Sequence, residues 1–133
     1  MLYFAYGSNL NHFQMKRRCK DSKFIKKINL KGYTLNFRSK YRAADIEKKN
    51  NSIVPGGLYE ISKSDEKKLD IYEDYPILYK KMFFKYYNNT VMTYIMPKKT
   101  IFRYPTEWYL NVVKQGYKAV SYTHLTLPTI YSV

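Results

Sequence analysis

The chain has 133 residues, enough for one hydrophobic core and too few for a catalytic domain joined to a separate cofactor-binding module. Apolar residues make up 45% and aromatics 18%, a composition that excludes an intrinsically disordered chain. One cysteine and two histidines exclude a disulfide framework and a Cys/His zinc site, and 24 basic against 10 acidic side chains give a formal net charge of +14.

Leu2 to Tyr6 is a short apolar, aromatic run that stops at Gly7-Ser8-Asn9, and reads as a buried strand ending in a tight turn. Asn9 is placed to cap a helix that runs to about Arg18. Phe24 to Leu30 and Tyr33 to Arg38 read as two strands either side of Lys31-Gly32, the second with Tyr33, Leu35 and Phe37 alternating with polar residues. Residues 39–51 are polar and charged without a clear period, and read as a surface loop holding at most a short extended piece. A strand resumes over Ile53 to Ile61, where Pro55-Gly56-Gly57 calls for a bulge or a close backbone approach.

Ser62 followed by Asp65 is a variant capping box. It starts a helix with Leu69, Tyr72 and Glu73 on one face, which ends before Pro76. Tyr79 to Tyr87 and Val91 to Met96 flank Asn88-Asn89-Thr90 as a hairpin. Thr106 caps a last helix, Glu107 to Tyr117, with Trp108, Val112 and Gln115 along it. Hairpins mixed with helices, and no internal repeat, point to an α+β fold rather than a doubly wound sheet. From about Ala119 onward the chain carries no Lys, Arg, Asp or Glu, and this stretch resembles the translation of a sequencing-adaptor read-through. The domain is therefore expected over residues 1–118, with 119–133 a non-native or irregular tail, a native apolar strand being the alternative.

The first apolar run is too short for a signal peptide and no apolar stretch approaches a membrane span, which with the lone Cys19 points to a cytoplasmic protein that does not enter membranes. The net charge is the footprint of a nucleic-acid binder, yet the lysines are scattered in pairs such as Lys48-Lys49 and Lys98-Lys99 rather than gathered in one block. Most are Lys rather than Arg, so a solvated, compositionally biased surface accounts for them and nucleic acid is not the expected partner. A basic module for RNA or another polyanion, its aromatics stacking on bases, is the alternative.

Two motifs carry chemistry. Tyr6-Gly7-Ser8-Asn9-Leu10 brings several backbone N–H groups and the positive end of a helix to one point where an anion could sit, although ordinary helix capping has the same look. It lacks the Lys-Ser/Thr and the further glycines of phosphate and dinucleotide loops. Leu69 to Pro76 places acids at the C-terminal end of a helix, so Glu73, beside Asp70 and Asp74, is expected to be harder to ionise than a carboxyl of about 4.3. A raised pKa suits proton transfer near neutrality. The plainer alternative is three solvated acids balanced by Lys67, Lys68, Lys80 and Lys81. Cys19 has no partner in sequence and reads as a buried thiol, and His12 and His124 do not assemble a triad.

Taken together, Tyr3-Phe4-Ala5-Tyr6-Gly7-Ser8-Asn9-Leu10, Val54-Pro55-Gly56-Gly57-Leu58-Tyr59-Glu60-Ile61 and Leu69-Asp70-Ile71-Tyr72-Glu73 resemble the gamma-glutamylcyclotransferase-like family in order and spacing. Gly32 to Phe37, Tyr79 and Pro105 to Tyr109 agree as well, so the resemblance covers residues 1 to about 118. It implies a small mixed β-barrel with peripheral helices, and an enzyme that needs no metal or organic cofactor. In the family's reaction the α-amine of a γ-glutamyl group attacks its own γ-carbonyl, closing 5-oxoproline and releasing an amine, an amino acid or a peptide, glutathione being one of the substrates. Glu73 matches the family's catalytic Glu, acting as general acid and base. Gly7, Ser8, Asn9 and Leu10 would hold the substrate carboxylate through their N–H groups. Tyr3 and Tyr6 would shape the pocket wall, with core packing the plainer role for Tyr3, and Tyr109 matches a substrate-site tyrosine. Asp45-Ile46 departs from the small residues that many members carry there. Some members have no assigned activity, and the anomalous tail keeps open an inactive small-ligand binder on the same fold as the other alternative.

Overall fold

Residues 1–119 are described by the computed structural model; the expected tail lies outside them apart from Ala119. Leu2–Ala5 forms β1, the middle strand of a five-stranded sheet. Side chains alternate across a strand, so Tyr3 and Ala5 join a core with Met15, Leu69, Tyr94 and Val113, whereas Phe4 and Tyr6 join another with Phe37, Ile46, Val54 and Val91. Both faces of β1 are covered, which explains its unbroken apolar sequence. This buried strand therefore delivers the turn that follows it, Gly7-Ser8-Asn9, from a rigid base.

The segment from Lys23 to Glu60 is one long hairpin. Lys23–Arg38 (β2) pairs antiparallel with Ala43–Glu60 (β3), from Lys23 opposite Glu60 to Arg38 opposite Ala43. Two expectations are corrected here. The two strands expected either side of Lys31-Gly32 are one strand: Gly32, at a φ of +80°, sits at a register shift where the short step from Lys31 to Tyr33 faces the longer step from Ile53 to Lys48, so the extra residues stand on β3. The expected loop over 39–51 shrinks to a tight turn closed by Arg42 N–H donating to Ser39 O, and its polar residues from Ala43 onward are the start of β3. The Pro55-Gly56-Gly57 stretch makes no bulge and is instead a close approach. A Cβ on Gly56 would stand 2.5 Å from Ala5 O and 2.6 Å from the Phe4 ring.

β3 also pairs with β1, which lies parallel to Asn89–Ile95 (β5), itself paired with Lys80–Tyr86 (β4). The order is β2-β3-β1-β5-β4, a mixed and open sheet rather than the closed barrel implied by the resemblance. Exposed lysines on the two edge strands, Lys23, Lys26 and Lys31 on β2 and Lys80 and Lys85 on β4, discourage edge-to-edge pairing.

Asn9 does not cap the first helix. Ser8–Leu10 is a short 3-10 turn, and Asn11 caps α1 (His12–Arg18) by accepting from Gln14 N–H at 3.2 Å. Ser62 and Asp65 form the expected reciprocal capping box of α2 (Lys63–Tyr72), and Glu73 is its C-cap. Thr106 Oγ1 accepts from Tyr109 N–H at the start of α3 (Glu107–Ala119). The buried face of α3 is Val112, Val113, Gly116 and Tyr117, while Trp108 is 64% exposed. Gly116 lets α3 touch the turn before α1, where a Cβ would meet Asn11 N at 2.6 Å. Asp45, fully buried, accepts from Met96 N–H and Lys99 Nζ and lies beside Arg38, tying the chain after β5 to the hairpin.

Candidate active site

The 3-10 turn after β1 and the C-cap of α2 meet across a cavity of about 540 Å³. Gly7, Ser8 and Asn9 form one wall, and Tyr72, Glu73 and Asp74 the opposite one. Ala43 and Ala44 of β3, Tyr79, Tyr94 of β5 and Tyr109 of α3 are also part of the lining. The contact between the two motifs is direct. Asn9 Nδ2 donates to Tyr3 Oη at 3.0 Å and lies 3.4 Å from Glu73 Oε1, and Ser8 Oγ is 3.2 Å from Tyr72 Oη.

Glu73 is half-buried, and burial pushes its carboxyl up to about 7, against the pull of the Arg18 guanidinium. The direction matches the sequence expectation, but the cause does not. Asp70, expected to repel Glu73, is engaged elsewhere: Tyr94 Oη donates to it at 2.6 Å and Lys81 Nζ sits 3.1 Å away. Asp74 is exposed at the cavity's lip. A carboxyl with a pKa near neutrality can take a proton and return it within one cycle.

Of the residues singled out in sequence, Tyr3, Tyr6, Gly7, Ser8, Asn9, Glu73 and Tyr109 all line the cavity. Leu10 does not. Its N–H donates to Gly7 O at 3.1 Å and its side chain is fully buried in the core. Tyr3 packs in the core and also presents its hydroxyl to Asn9. Tyr6 Oη donates to Tyr94 O at 2.7 Å, so its ring shapes the wall while its proton is committed. Tyr109 Oη accepts from Ala44 N–H at 3.1 Å and keeps its own proton to offer. Tyr79 Oη donates to Ala44 O. Burial raises the pKa of each of these tyrosines, so all are neutral hydroxyls at physiological pH.

Two parts of the site were not found in sequence. Tyr94 and Ala44 come from strands whose register decides what they face, and nothing local marks them. Arg18, at the end of α1, donates to Ser8 Oγ at 3.0 Å and to Asn9 Oδ1, and lies over the Tyr72 ring. Cys19 is a buried thiol that donates to Asp65 O, and burial pushes its pKa up to about 12. His12 bonds Tyr59 Oη at 2.8 Å and packs on Phe24, a role in packing rather than in a triad.

An acid near neutral pKa facing a glycine-serine-asparagine turn in a cavity, on a mixed sheet accompanied by three helices among the described residues, places the chain in a class of small α+β proteins. The family model for gamma-glutamyl cyclotransferase, AIG2-like proteins matches residues 3–117, and the chain belongs to that family. Among solved structures it is similar to a gamma-glutamyl cyclotransferase, with 23% identity, a TM-score of 0.75, and coverage of 91% of this chain and 80% of the other. It is similar to the uncharacterized protein loc79017 from Homo sapiens at 23% identity and TM-score 0.74, covering 90% and 79% of the two chains. YkqA from Bacillus subtilis, at 23% identity and TM-score 0.74, is matched over 95% of this chain and 49% of its own length. Comparison with curated proteins gives no match.

Proposed function

We propose that the protein is a γ-glutamyl cyclotransferase, converting a γ-glutamyl amine, amino acid or peptide to 5-oxoproline and the free amine. The observation that carries this reading is the Glu73 carboxyl, with a pKa near 7, within 3.4 Å of the Asn9 amide on the opposite wall of one cavity. The Ser8 and Asn9 N–H groups, at the start of a helical turn, have no acceptor within it and suit the substrate's α-carboxylate. That anchor would leave the α-amine beside Glu73.

Glu73 as carboxylate takes a proton from the α-ammonium. The freed amine attacks the γ-carbonyl carbon, and a new C–N bond forms as the carbonyl π electrons move to oxygen. Collapse of this tetrahedral centre breaks the original amide C–N bond. The α-nitrogen keeps one hydrogen as lactam N–H, and its other two protons reach the leaving nitrogen by way of Glu73, so the cycle neither consumes nor releases protons overall. Tyr109 Oη, which accepts from Ala44 N–H, would donate to the developing oxyanion. Holding both ends of the γ-glutamyl group in ring-closing geometry can lower the barrier by several kcal/mol, on the order of what intramolecular alignment provides.

The test is release of 5-oxoproline, read by mass spectrometry, from a panel of γ-glutamyl dipeptides, γ-glutamyl-lysine and glutathione. Turnover is expected for at least one, and Glu73→Gln is expected to abolish it while remaining folded. Full activity in Glu73→Gln would remove the proposal. Ligand-induced stabilisation without turnover would favour an inactive binder.

A further inference from the structure

Arg18 has no part in the steps above and does not line the cavity. It closes α1 behind the wall, where its guanidinium donates to Ser8 Oγ at 3.0 Å and to Asn9 Oδ1 while its Cζ stands 3.5 Å from the centroid of the Tyr72 ring. The turn that carries Ser8 and Asn9 and the helix end that carries Glu73 are therefore joined by one cation.

The geometry has a directional consequence. An amide side chain has an accepting end and a donating end. With Asn9 Oδ1 held by the guanidinium, the NH2 group must face the other way, toward Tyr3 Oη and Glu73 Oε1. The reversed amide would set its oxygen against the Glu73 carboxylate and its NH2 against Arg18. The Tyr3 hydroxyl, able to donate or accept, is indifferent to the choice. A protonated Glu73 is equally indifferent, so at that stage of the cycle Arg18 alone among these three neighbours keeps the amide in place. Ser8 Oγ, accepting from Arg18, keeps its proton for Tyr72 Oη or for the cavity.

The charge matters as well as the hydrogen bonds. Glu73 is faced by Tyr3, Tyr6, Tyr79, Tyr94 and Tyr109, all held neutral by burial, and its own segment adds Asp70 and Asp74. Arg18 is the cation, among the described residues, that opposes burial at Glu73. We infer that Arg18 is a positioning residue for this site, locking the Asn9 amide and the Ser8 hydroxyl toward the substrate and supplying the positive charge that keeps Glu73 available as a base. The kinetic part rests on the cyclotransferase reading; the part concerning the Glu73 proton does not.

The experiment compares the parent chain with Arg18→Met and Arg18→Lys by two readouts. The first is a carboxyl carbon-13 NMR titration of Glu73 without substrate, its resonance assigned by its absence from Glu73→Gln. Arg18→Met should raise the midpoint by about one pH unit, and Arg18→Lys, which keeps the charge, by less. The second is kcat/KM against pH for 5-oxoproline release. Arg18→Met should lose about fivefold at pH 7 and recover most of it at alkaline pH. Arg18→Lys should keep the acid limb of the profile and show a raised KM, because one ammonium cannot hold Ser8 and Asn9 as a planar fork does. An unmoved midpoint, or an equal loss at every pH, would overturn the inference. If Arg18→Met does not fold, an Arg18→Lys variant with parental KM and parental titration overturns it too. A parent chain that releases no 5-oxoproline sinks the cyclotransferase reading and leaves the titration to decide whether Arg18 governs Glu73.

Discussion

Replacing Glu73 by Gln is expected to stabilise the fold at neutral pH even as it removes the proposed acid-base group. Burial raises the carboxyl from 4.5 to about 7. Because the folded chain holds this proton more tightly than the unfolded chain, the stabilising contribution is complete below about pH 4.5, shrinks as pH rises, and is lost once the pH passes about 7. The span corresponds to a ceiling of about 3 kcal/mol, which water reaching a half-buried group reduces. At roughly 4 °C per kcal/mol for a domain of this size, the ceiling in Tm is about 12 °C. Gln has nearly the same shape and no charge to bury. Urea denaturation of both proteins from about pH 4.5 to about pH 8.5 measures the effect. The advantage of Glu73→Gln should grow between about pH 5 and about pH 7 and level off above. All other titrating groups are common to the two proteins, so curves that stay parallel throughout would refute a buried, proton-retaining Glu73.

Gly116→Ala should destabilise by about 1 to 2 kcal/mol in urea melts, since a Cβ 2.6 Å from the Asn11 backbone forces α3 away from the turn at a cost larger than the better helix propensity of Ala returns. The same displacement moves Tyr109, so activity should fall more than stability. Ser62→Ala should cost about 1 kcal/mol, because the Ser62 hydroxyl accepts from Asp65 N–H at 3.0 Å and is one half of the reciprocal capping box at that end of α2. Cys19, fully buried with its pKa pushed up to about 12, should resist a disulfide reagent at about pH 8 in the native protein and react as one thiol in denaturant.

Elements whose cause is local were legible in the amino-acid sequence. A capping box spans four residues, so Ser62 and Asp65 announce α2 without any knowledge of the rest of the chain. The apolar run of β1 and the hairpin of β4 and β5 are legible for the same reason. Both motifs that form the cavity were readable, and so was the direction in which the Glu73 pKa moves. Tertiary structure decided the rest. Whether Gly32 ends a strand or lies within one depends on β3, whose Ile53 and Lys48 pair with Lys31 and Tyr33 on either side of it. Asn9 looks like a helix cap because the residue type suits one; the cap went to Asn11, and Asn9 turned inward to Arg18, Tyr3 and Glu73. The pKa of Glu73 follows from how much water the assembled cavity excludes, whereas sequence shows only which charges are close along the chain. Propensity and capping act over one helical turn, but desolvation and the choice of hydrogen-bond partner are properties of a closed cavity, and the cavity exists only once β1, α1 and α2 have met.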